Sequence, residues 1–248
     1  MKKTSLLPIL ILFGFGCQSS GASGETTSQK GDLEGDSLSS SYSPEFASDP
    51  KLTVLDYYRQ LKDDYDPGYP LRQKGGKWVT VSPLSEQDID ATVDLKNGFI
   101  EVIDEGTGDG MVKVQVALFR LADGKAVVAI SKQIFDGIGA QQSWHFLRPD
   151  AAGFKDWTEH TMPIVTGFDF LPDDYAEEPD VVEEALPVLI ELPRHGTNLV
   201  VSVFTEKKGL YCSEQATEYQ RDVLCPVFGR LTRTTFSLKW DKTEGRFL

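Results

Sequence analysis

The sequence predicts a mainly β fold, an antiparallel β-sandwich of about eight short strands preceded by one helix. Apolar residues alternate with polar ones in several short runs, which is the period of a half-buried strand. Turn dipeptides such as Asn97-Gly98 and Asp123-Gly124 join successive runs directly, so neighbouring strands are expected to pair. Antiparallel sheets of this kind bury one face against a second sheet. A partial β-propeller-like arrangement is the alternative, although the sequence has no clear repeat period.

The chain begins with features of a signal peptide over residues 1–16. Lys2 and Lys3 make a basic start, and residues 6–15 form an apolar stretch that is too short for a stable membrane helix. Gly16 then supplies a small residue directly before Cys17. We therefore expect cleavage at this point, with the mature chain starting at the cysteine.

This stretch resembles the type II signal peptide of bacterial lipoproteins over residues 1–18. The resemblance implies that the Cys17 thiol carries diacylglycerol and that acyl chains anchor the protein in the lipid bilayer. Gln18, instead of Asp, follows the cysteine, and the sorting rule that comes with the motif then implies the outer membrane. Gly14 departs from the motif, which usually has Leu there. The alternative is an ordinary signal peptide followed by a buried cysteine.

Residues 17–49 are expected to form a flexible tether after the lipidated cysteine. Residues 18–50 include 14 Ser or Gly, and six acids stand against Lys30 alone. Chains of this composition behave as coils and would hold a domain on the order of 30 Å from the bilayer. Nothing in this stretch could bury a thiol, which favours acylation of Cys17 over burial.

Residues 50–248 are expected to form a single β-rich globular domain that starts with a helix. Asp49-Pro50 has the character of an N-cap followed by proline at the first helical position. Four apolar residues then recur at helical spacing, which predicts a helix over residues 50–62: Val54, Leu55, Tyr58 and Leu61.

The following segments predict hairpins. A two-residue turn at Asn97-Gly98 would place Leu95 opposite Ile100 and Val93 opposite Val102. Alternating valines over residues 112–118 predict the next strand, and Asp123-Gly124 turns the chain back into residues 126–130.

The second half is less regular. Short strands are predicted over residues 144–147, 187–193, 198–204 and 234–240, and residues 148–163 are expected to contain a further hairpin with Trp157. The acidic run over residues 169–184 has no base and predicts an exposed loop with one helical turn. Residues 53–58 and 191–197 are similar to segments of uncharacterised lipoproteins of Gram-negative bacteria, a resemblance that implies no activity.

Once Cys17 is set aside, Cys212 and Cys225 remain as an even pair in a chain expected to leave the cytosol. This arithmetic predicts a disulfide. Two free thiols, or half of a metal site, are the alternative.

The charge balance restricts the partners. The chain has 25 Lys or Arg against 38 Asp or Glu, a net charge of −13 that becomes −15 if Lys2 and Lys3 are removed with the signal peptide. A surface this negative repels phosphate backbones, so no nucleic-acid partner is expected.

No catalytic motif is visible. The chain lacks GxSxG and HExxH, and it has three histidines: His145, expected to face water from a strand; His160; and His195, expected in a turn. The DEGTGDG loop offers Asp104, Glu105 and Asp109 as a weak calcium candidate, because carboxylates on a glycine-rich backbone suit that cation.

These observations predict a membrane-anchored envelope lipoprotein with a non-enzymatic binding or structural role, whose partner is another envelope protein or a glycan. No cofactor is implied. The alternative is a carboxylate-based hydrolase that acts on a glycan. A deep pocket that collects two carboxylates with His or Tyr would favour the enzyme.

Overall fold

Eight consecutive strands form one antiparallel sheet in the computed structural model, which describes residues 51–106, 108 and 110–248. Each strand pairs with its neighbour in sequence. The strands are β1 (Arg72–Lys74), β2 (Lys77–Val81), β3 (Asp88–Asp94), β4 (Phe99–Asp104), β5 (Met111–Arg120), β6 (Ala126–Phe135), β7 (Ala140–Asp150) and β8 (Gly153–Asp156). The mainly β, antiparallel prediction is confirmed.

Two smaller sheets follow in the second half of the chain. β9 (Val188–Glu191), β10 (Leu199–Val203) and β11 (Thr235–Leu238) form a three-stranded sheet with β10 in the centre. β12 (Trp240–Asp241) pairs with β13 (Arg246–Phe247). The described residues therefore contain more strands than the eight predicted, and the first eight form one sheet instead of propeller blades.

Five short α-helices are present among the described residues, where the sequence predicted one. They are α1 (Val54–Tyr58), α2 (Thr158–Thr161), α3 (Pro179–Ala185), α4 (Lys207–Tyr211) and α5 (Cys225–Phe228). In the described part of the chain, no helix has the length and apolar character needed to cross a membrane.

The N-terminal helix is shorter than the predicted span of residues 50–62. Thr53 caps α1: its side chain accepts a hydrogen bond from the Asp56 backbone N–H, and the Asp56 carboxylate accepts one from the Thr53 N–H. This capping box starts the helix at Val54, and helical structure ends at Arg59. The predicted cap at Asp49-Pro50 lies outside the described residues.

The eight-stranded sheet buries apolar side chains on both faces. One face packs against α1, where Val54 and Tyr57 meet Ile100, Val116 and Val128. The other face packs against the three-stranded sheet and against the helices that precede β9 or connect β10 to β11. Its core combines large-sheet residues such as Phe119 and Phe146 with Ile190, Val201 and Phe247. Two sheets thus pack face to face, as a sandwich requires.

The β3–β4 hairpin has a different register from the predicted one. Val93 lies opposite Ile100, and Leu95 is an exposed turn residue. The Asp94 carboxylate accepts hydrogen bonds from the backbone N–H and the side-chain amide of Asn97, which closes a four-residue turn. These hydrogen bonds start the turn two residues earlier than predicted. The prediction of a two-residue turn at Asn97-Gly98 is therefore wrong.

The acidic run is also more ordered than a loop. A 3₁₀-helix over Gly167–Phe170 forms its start and α3 forms its end, with Phe170 and Val182 fully buried in the core. Two residues of the run, Phe170 and Val182, therefore pack in the core, while its acidic residues are mostly exposed.

Candidate functional site

The most distinctive concave surface lies where β8 separates from β7. The Trp157 N–H donates to the Phe146 carbonyl at 2.7 Å, and the Phe146 N–H donates to Thr158 Oγ1 at 2.9 Å. After these bonds the chain turns into α2. The space beside β7 that β8 would have filled forms an open cavity of about 490 Å³. We call it the β7 notch; it is lined by Trp144, His145, Asp156, Trp157, Thr158, Glu159 and His160.

Trp157 forms a fixed wall of the notch. The His160 ring stacks on it with ring centroids 4.1 Å apart, and the Arg148 guanidinium lies 4.5 Å from the ring centroid. His160 Nε2 lies 3.0 Å from the Glu244 carbonyl; since a carbonyl can only accept, this nitrogen carries the proton. A Cβ at Gly245 would come within 2.8 Å of the indole, so glycine is required there.

His145 and Asp156 form a pair across the β7–β8 ladder. His145 Nδ1 lies 2.9 Å from Asp156 Oδ2, and the Thr158 N–H donates to Asp156 Oδ1 at 2.8 Å. Partial burial opposes ionisation of Asp156, but hydrogen bonds from Thr158 and His145 outweigh it and lower the pKa of the carboxyl. The Tyr65 and His145 rings pack edge to face, with their centroids 5.1 Å apart. Asp156 is therefore an ionised group that orients the imidazole.

The position of His145 partly corrects the sequence analysis, which placed it facing water. The side chain is half-buried, held between Asp156 and Tyr65. His195 is exposed in a bend, as predicted for a turn residue. His160 joins His145 in the notch.

Cys212 and Cys225 come together as expected. The sulfurs of Cys212 and Cys225 lie 2.02 Å apart, which is the distance of a disulfide, and their Cα atoms are 5.1 Å apart. Cys212 follows α4 and Cys225 begins α5, with a π-helix over Gln220–Leu224 between them. Cys17 lies outside the described residues, so its lipidation stays a prediction.

Two of the three calcium candidates, Asp104 and Glu105, lie in the described residues and have different surroundings. Asp104 is buried and accepts hydrogen bonds from the Ser82 hydroxyl at 2.9 Å, the Tyr69 hydroxyl at 3.2 Å and the Gly106 N–H at 3.0 Å. Glu105 is exposed, and Asp109 lies outside the described residues. Within the described ranges no three His, Cys, Asp or Glu residues are grouped to hold a metal ion. Asp104, the last residue of β4, therefore connects the segment before β1, the residue that follows β2 and the loop before β5.

The notch was missed in the sequence because it depends on where one strand leaves another. A signal was nevertheless present. Two of the four tryptophans and two of the three histidines occur within residues 144–160. Such a concentration of aromatic and titratable side chains is typical of a binding surface.

The β7 notch can act in two ways. Its aromatic walls, two carboxylates and strand edge suit binding of a ligand. Intramolecular hydrogen bonds already hold Asp156, His145 and His160 in place, so these side chains lose little freedom when a ligand binds. In addition, an imidazole oriented by a carboxylate is a general-base arrangement.

Comparisons with known proteins add no assignment. No protein-family model matches the chain, and no curated protein matches it. One solved structure, described as a domain of an uncharacterized protein from Porphyromonas gingivalis W83, is 13% identical and has a TM-score of 0.45. The similarity covers 73% of this chain and 78% of that one, and at this level it carries no argument about function.

Proposed function

We propose that this chain is a lipid-anchored protein of the bacterial envelope, sorted to the outer membrane, that binds a partner at the β7 notch. Anchoring is supported by Cys17, which follows a short apolar stretch and precedes a Ser/Gly-rich segment with no means of burying a thiol. Two or three acyl chains hold a protein firmly in a bilayer, whereas one holds it only marginally.

The observation that carries the binding role is the notch itself. An open cavity beside a strand edge, walled by Trp144 and Trp157, gives a preformed surface of the kind that ligand sites use. Trp157 is fixed by His160 and Arg148, and Asp156 is fixed by His145 and Thr158. A surface held in this way loses little side-chain freedom on binding.

The anchoring part is tested by replacing Cys17 with Ser in the full chain. We expect Cys17→Ser to move the protein from the membrane fraction to the soluble fraction and to abolish the mass increase of acylation at the mature N-terminus. Ser28→Ala, in the same segment, leaves the thiol intact and should stay with membranes. Membrane retention of the Cys17→Ser protein would contradict lipid anchoring.

The binding part is tested by photo-crosslinking in intact cells. A photoreactive residue at Ser143, exposed on β7 beside the notch, should give discrete adducts. The same residue at exposed Glu105, which lies on a loop three strands away, should give few. Equal yields at the two positions, or none at Ser143, would rule out the notch as the binding site.

A second candidate function is hydrolysis of a glycan. It is favoured by one observation: Asp156, Glu159 and His145 line the same cavity. Here His145, oriented by Asp156, would act as general base, and Glu159 would supply the second carboxylate. The full chain should then release new reducing ends from peptidoglycan, and Glu159→Gln should lose most of that activity while keeping its fold. No release by the unsubstituted chain would exclude this alternative.

A further inference from the structure

The edge of β7 carries backbone groups that point into the space vacated by β8. In an antiparallel pair, alternate residues bond to one neighbour, and the residues between them bond to the other. Phe146 bonds outward, to Trp157 and Thr158. By alternation, the N–H and C=O groups of Trp144 and Gln142 point outward too. No described residue forms a hydrogen bond with these backbone groups of Trp144 and Gln142.

This edge lacks the features that usually block strand addition. Lysine, proline or a short length commonly protects an edge strand from pairing. The opposite edge of the sheet has two of them, since β1 is three residues long and carries Arg72 and Lys74. By contrast, the part of β7 that β8 does not cover, residues 140–145, has no Lys, Arg or Pro, and its exposed residues are the uncharged Gln141 and Ser143. The open edge is therefore able to accept another strand.

The side chains that line the notch indicate what kind of strand would bind there. Its lining includes the carboxylates Asp156 and Glu159 but no Lys or Arg. The faces of Trp157 are taken by His160 and Arg148, so the available pair is Trp144 and the exposed carboxylate of Glu159, which suit the long stem and cationic head of Lys or Arg. The chain's net charge of −13 attracts basic segments and repels acidic ones.

The arrangement also favours a peptide over a sugar. A sugar ring binds to aromatic residues mainly by stacking on an open face. On Trp157 the His160 ring and the Arg148 guanidinium already occupy such positions. What remains available is the strand edge, the Trp144 side of the notch and the exposed Glu159.

We propose that an extended, basic segment of a partner protein adds to the β7 edge in the lane that β8 leaves, and places a Lys or Arg side chain in the notch. Backbone hydrogen bonds to Gln142 and Trp144 hold the strand, and the pocket for an alternate side chain selects its charge. This inference rests on the proposed binding function of the notch and names its partner class.

The test uses the full chain and synthetic peptides of known sequence. The probe is Val-Lys-Val-Lys-Val-Lys, with Val-Glu-Val-Glu-Val-Glu as its charge-reversed control. A third peptide has the basic sequence with N-methyl groups on alternate residues, which removes the backbone donors that would face β7. Binding is followed by tryptophan fluorescence and by hydrogen exchange at the Gln142 and Trp144 amides.

We expect the basic peptide to bind and to slow exchange of these two amides at least tenfold. The acidic peptide should not bind, and N-methylation should weaken binding at least tenfold. Glu159→Gln should weaken binding several-fold, while Glu105→Gln, a matched neutralisation three strands away, should leave it unchanged. Equal binding of the N-methylated peptide, or unchanged exchange at both amides, would overturn strand addition.

The outcome separates this inference from the proposed function. Discrete crosslinks at Ser143 together with no peptide binding would retain the notch as a binding site and reject the basic strand as its ligand. If a peptidoglycan fragment alone quenched the notch tryptophans, the partner would be a glycan and the strand-addition inference would be wrong. The absence of crosslinks at Ser143 would reject the proposed function itself.

Discussion

Two buried tyrosines and one buried carboxylate connect the segment after α1 to the large sheet. The Tyr58 hydroxyl donates to the Tyr69 carbonyl at 2.7 Å, and the Tyr69 hydroxyl donates to Asp104. Burial raises the pKa of both phenols well above their ordinary value; nearby Asp66 adds to the effect on Tyr58, and Asp104 adds to it on Tyr69. The folded protein therefore holds these protons at a pH where the unfolded chain loses them.

The first prediction concerns alkaline pH. Unfolded tyrosines ionise near pH 10, so stability is fully present below that pH and falls as pH rises toward the higher folded pKa values. Each phenol should reduce the free energy of unfolding by up to about 1.4 kcal/mol per pH unit above pH 10. Urea unfolding at pH 9, 10 and 11 measures this slope.

The matching variant is the double substitution Tyr58→Phe and Tyr69→Phe. It removes both titrating groups, so its free energy of unfolding should be lower at pH 9 but should fall less steeply above pH 10. A slope equal to that of the unsubstituted protein would show that other groups cause the alkaline loss.

At the level of elements, three glutamines attach β9 to the large sheet. The Gln115 side-chain oxygen accepts from the Leu192 N–H at 3.1 Å; the Gln133 and Gln142 amides donate to the Ile190 carbonyl, and the Gln142 oxygen accepts from the Ile190 N–H. These glutamines lie on β5, β6 and β7 in turn. β9 therefore crosses over three strands of the large sheet. Glutamine side chains bond the backbone N–H and C=O groups on the side of β9 that faces away from β10.

The second prediction is that Gln115→Leu destabilises the protein by about 1–3 kcal/mol. The substitution keeps an apolar body in the core but leaves the buried Leu192 N–H without an acceptor. Gln73→Leu, on the exposed edge strand β1, should change the free energy of unfolding by less than about 0.5 kcal/mol. Urea unfolding at neutral pH compares the two variants, and equal effects would contradict the role of Gln115.

The third prediction concerns the Cys212–Cys225 pair. Closing a loop with a sequence separation of 13 is worth about 3 kcal/mol in the chain-entropy model. The protein should take up alkylating reagent at Cys212 and Cys225 only after reduction, as measured by mass spectrometry. Full labelling without reductant would exclude the bond.

The elements also show how far sequence patterns extend. Alternation, turn dipeptides and short apolar runs located β4, β5, β6, β9 and β10, since each of these patterns is local to one strand. The register of β3 against β4 could not be predicted in the same way, because the Asp94 side chain, and not the Asn-Gly dipeptide, sets the turn. The glutamine contacts to β9 join residues up to 77 positions apart, which no local pattern indicates.

On the scale of the whole molecule, the two ends of the described chain close opposite faces of the large sheet. α1 covers one face, and Phe247, near the C-terminus, inserts into the core of the other. The Phe247 ring lies 5.4 Å from Phe119, 5.5 Å from Phe146 and 5.0 Å from Trp240, measured between centroids. The aromatic core is therefore completed by the last strand.

The fourth prediction follows from this closure. Phe247→Ala should lower the free energy of unfolding by about 3–5 kcal/mol, because it leaves a cavity among three aromatic rings. Leu248→Ala, at the neighbouring exposed position, should have an effect below about 0.5 kcal/mol. Thermal and urea unfolding measure both, and a small loss for Phe247→Ala would show that the core relaxes around the gap.

The sequence by itself determined the fold class, most strand positions and the pairing of Cys212 with Cys225. These depend on alternation, on turn residues and on cysteine count, all of which are local or compositional. It also carries the prediction of anchoring at Cys17, which depends on the order of residues 1–18 alone.

The tertiary structure decided the β7 notch, the roles of His145 and Asp104 and the crossing of β9. Each depends on groups that are distant in sequence or on the point where two strands part. Hydrogen-bond partners for buried or half-buried polar groups are chosen by packing, because desolvation makes an unpaired group costly wherever its partner comes from. For that reason the site could be located only once the strands were in place.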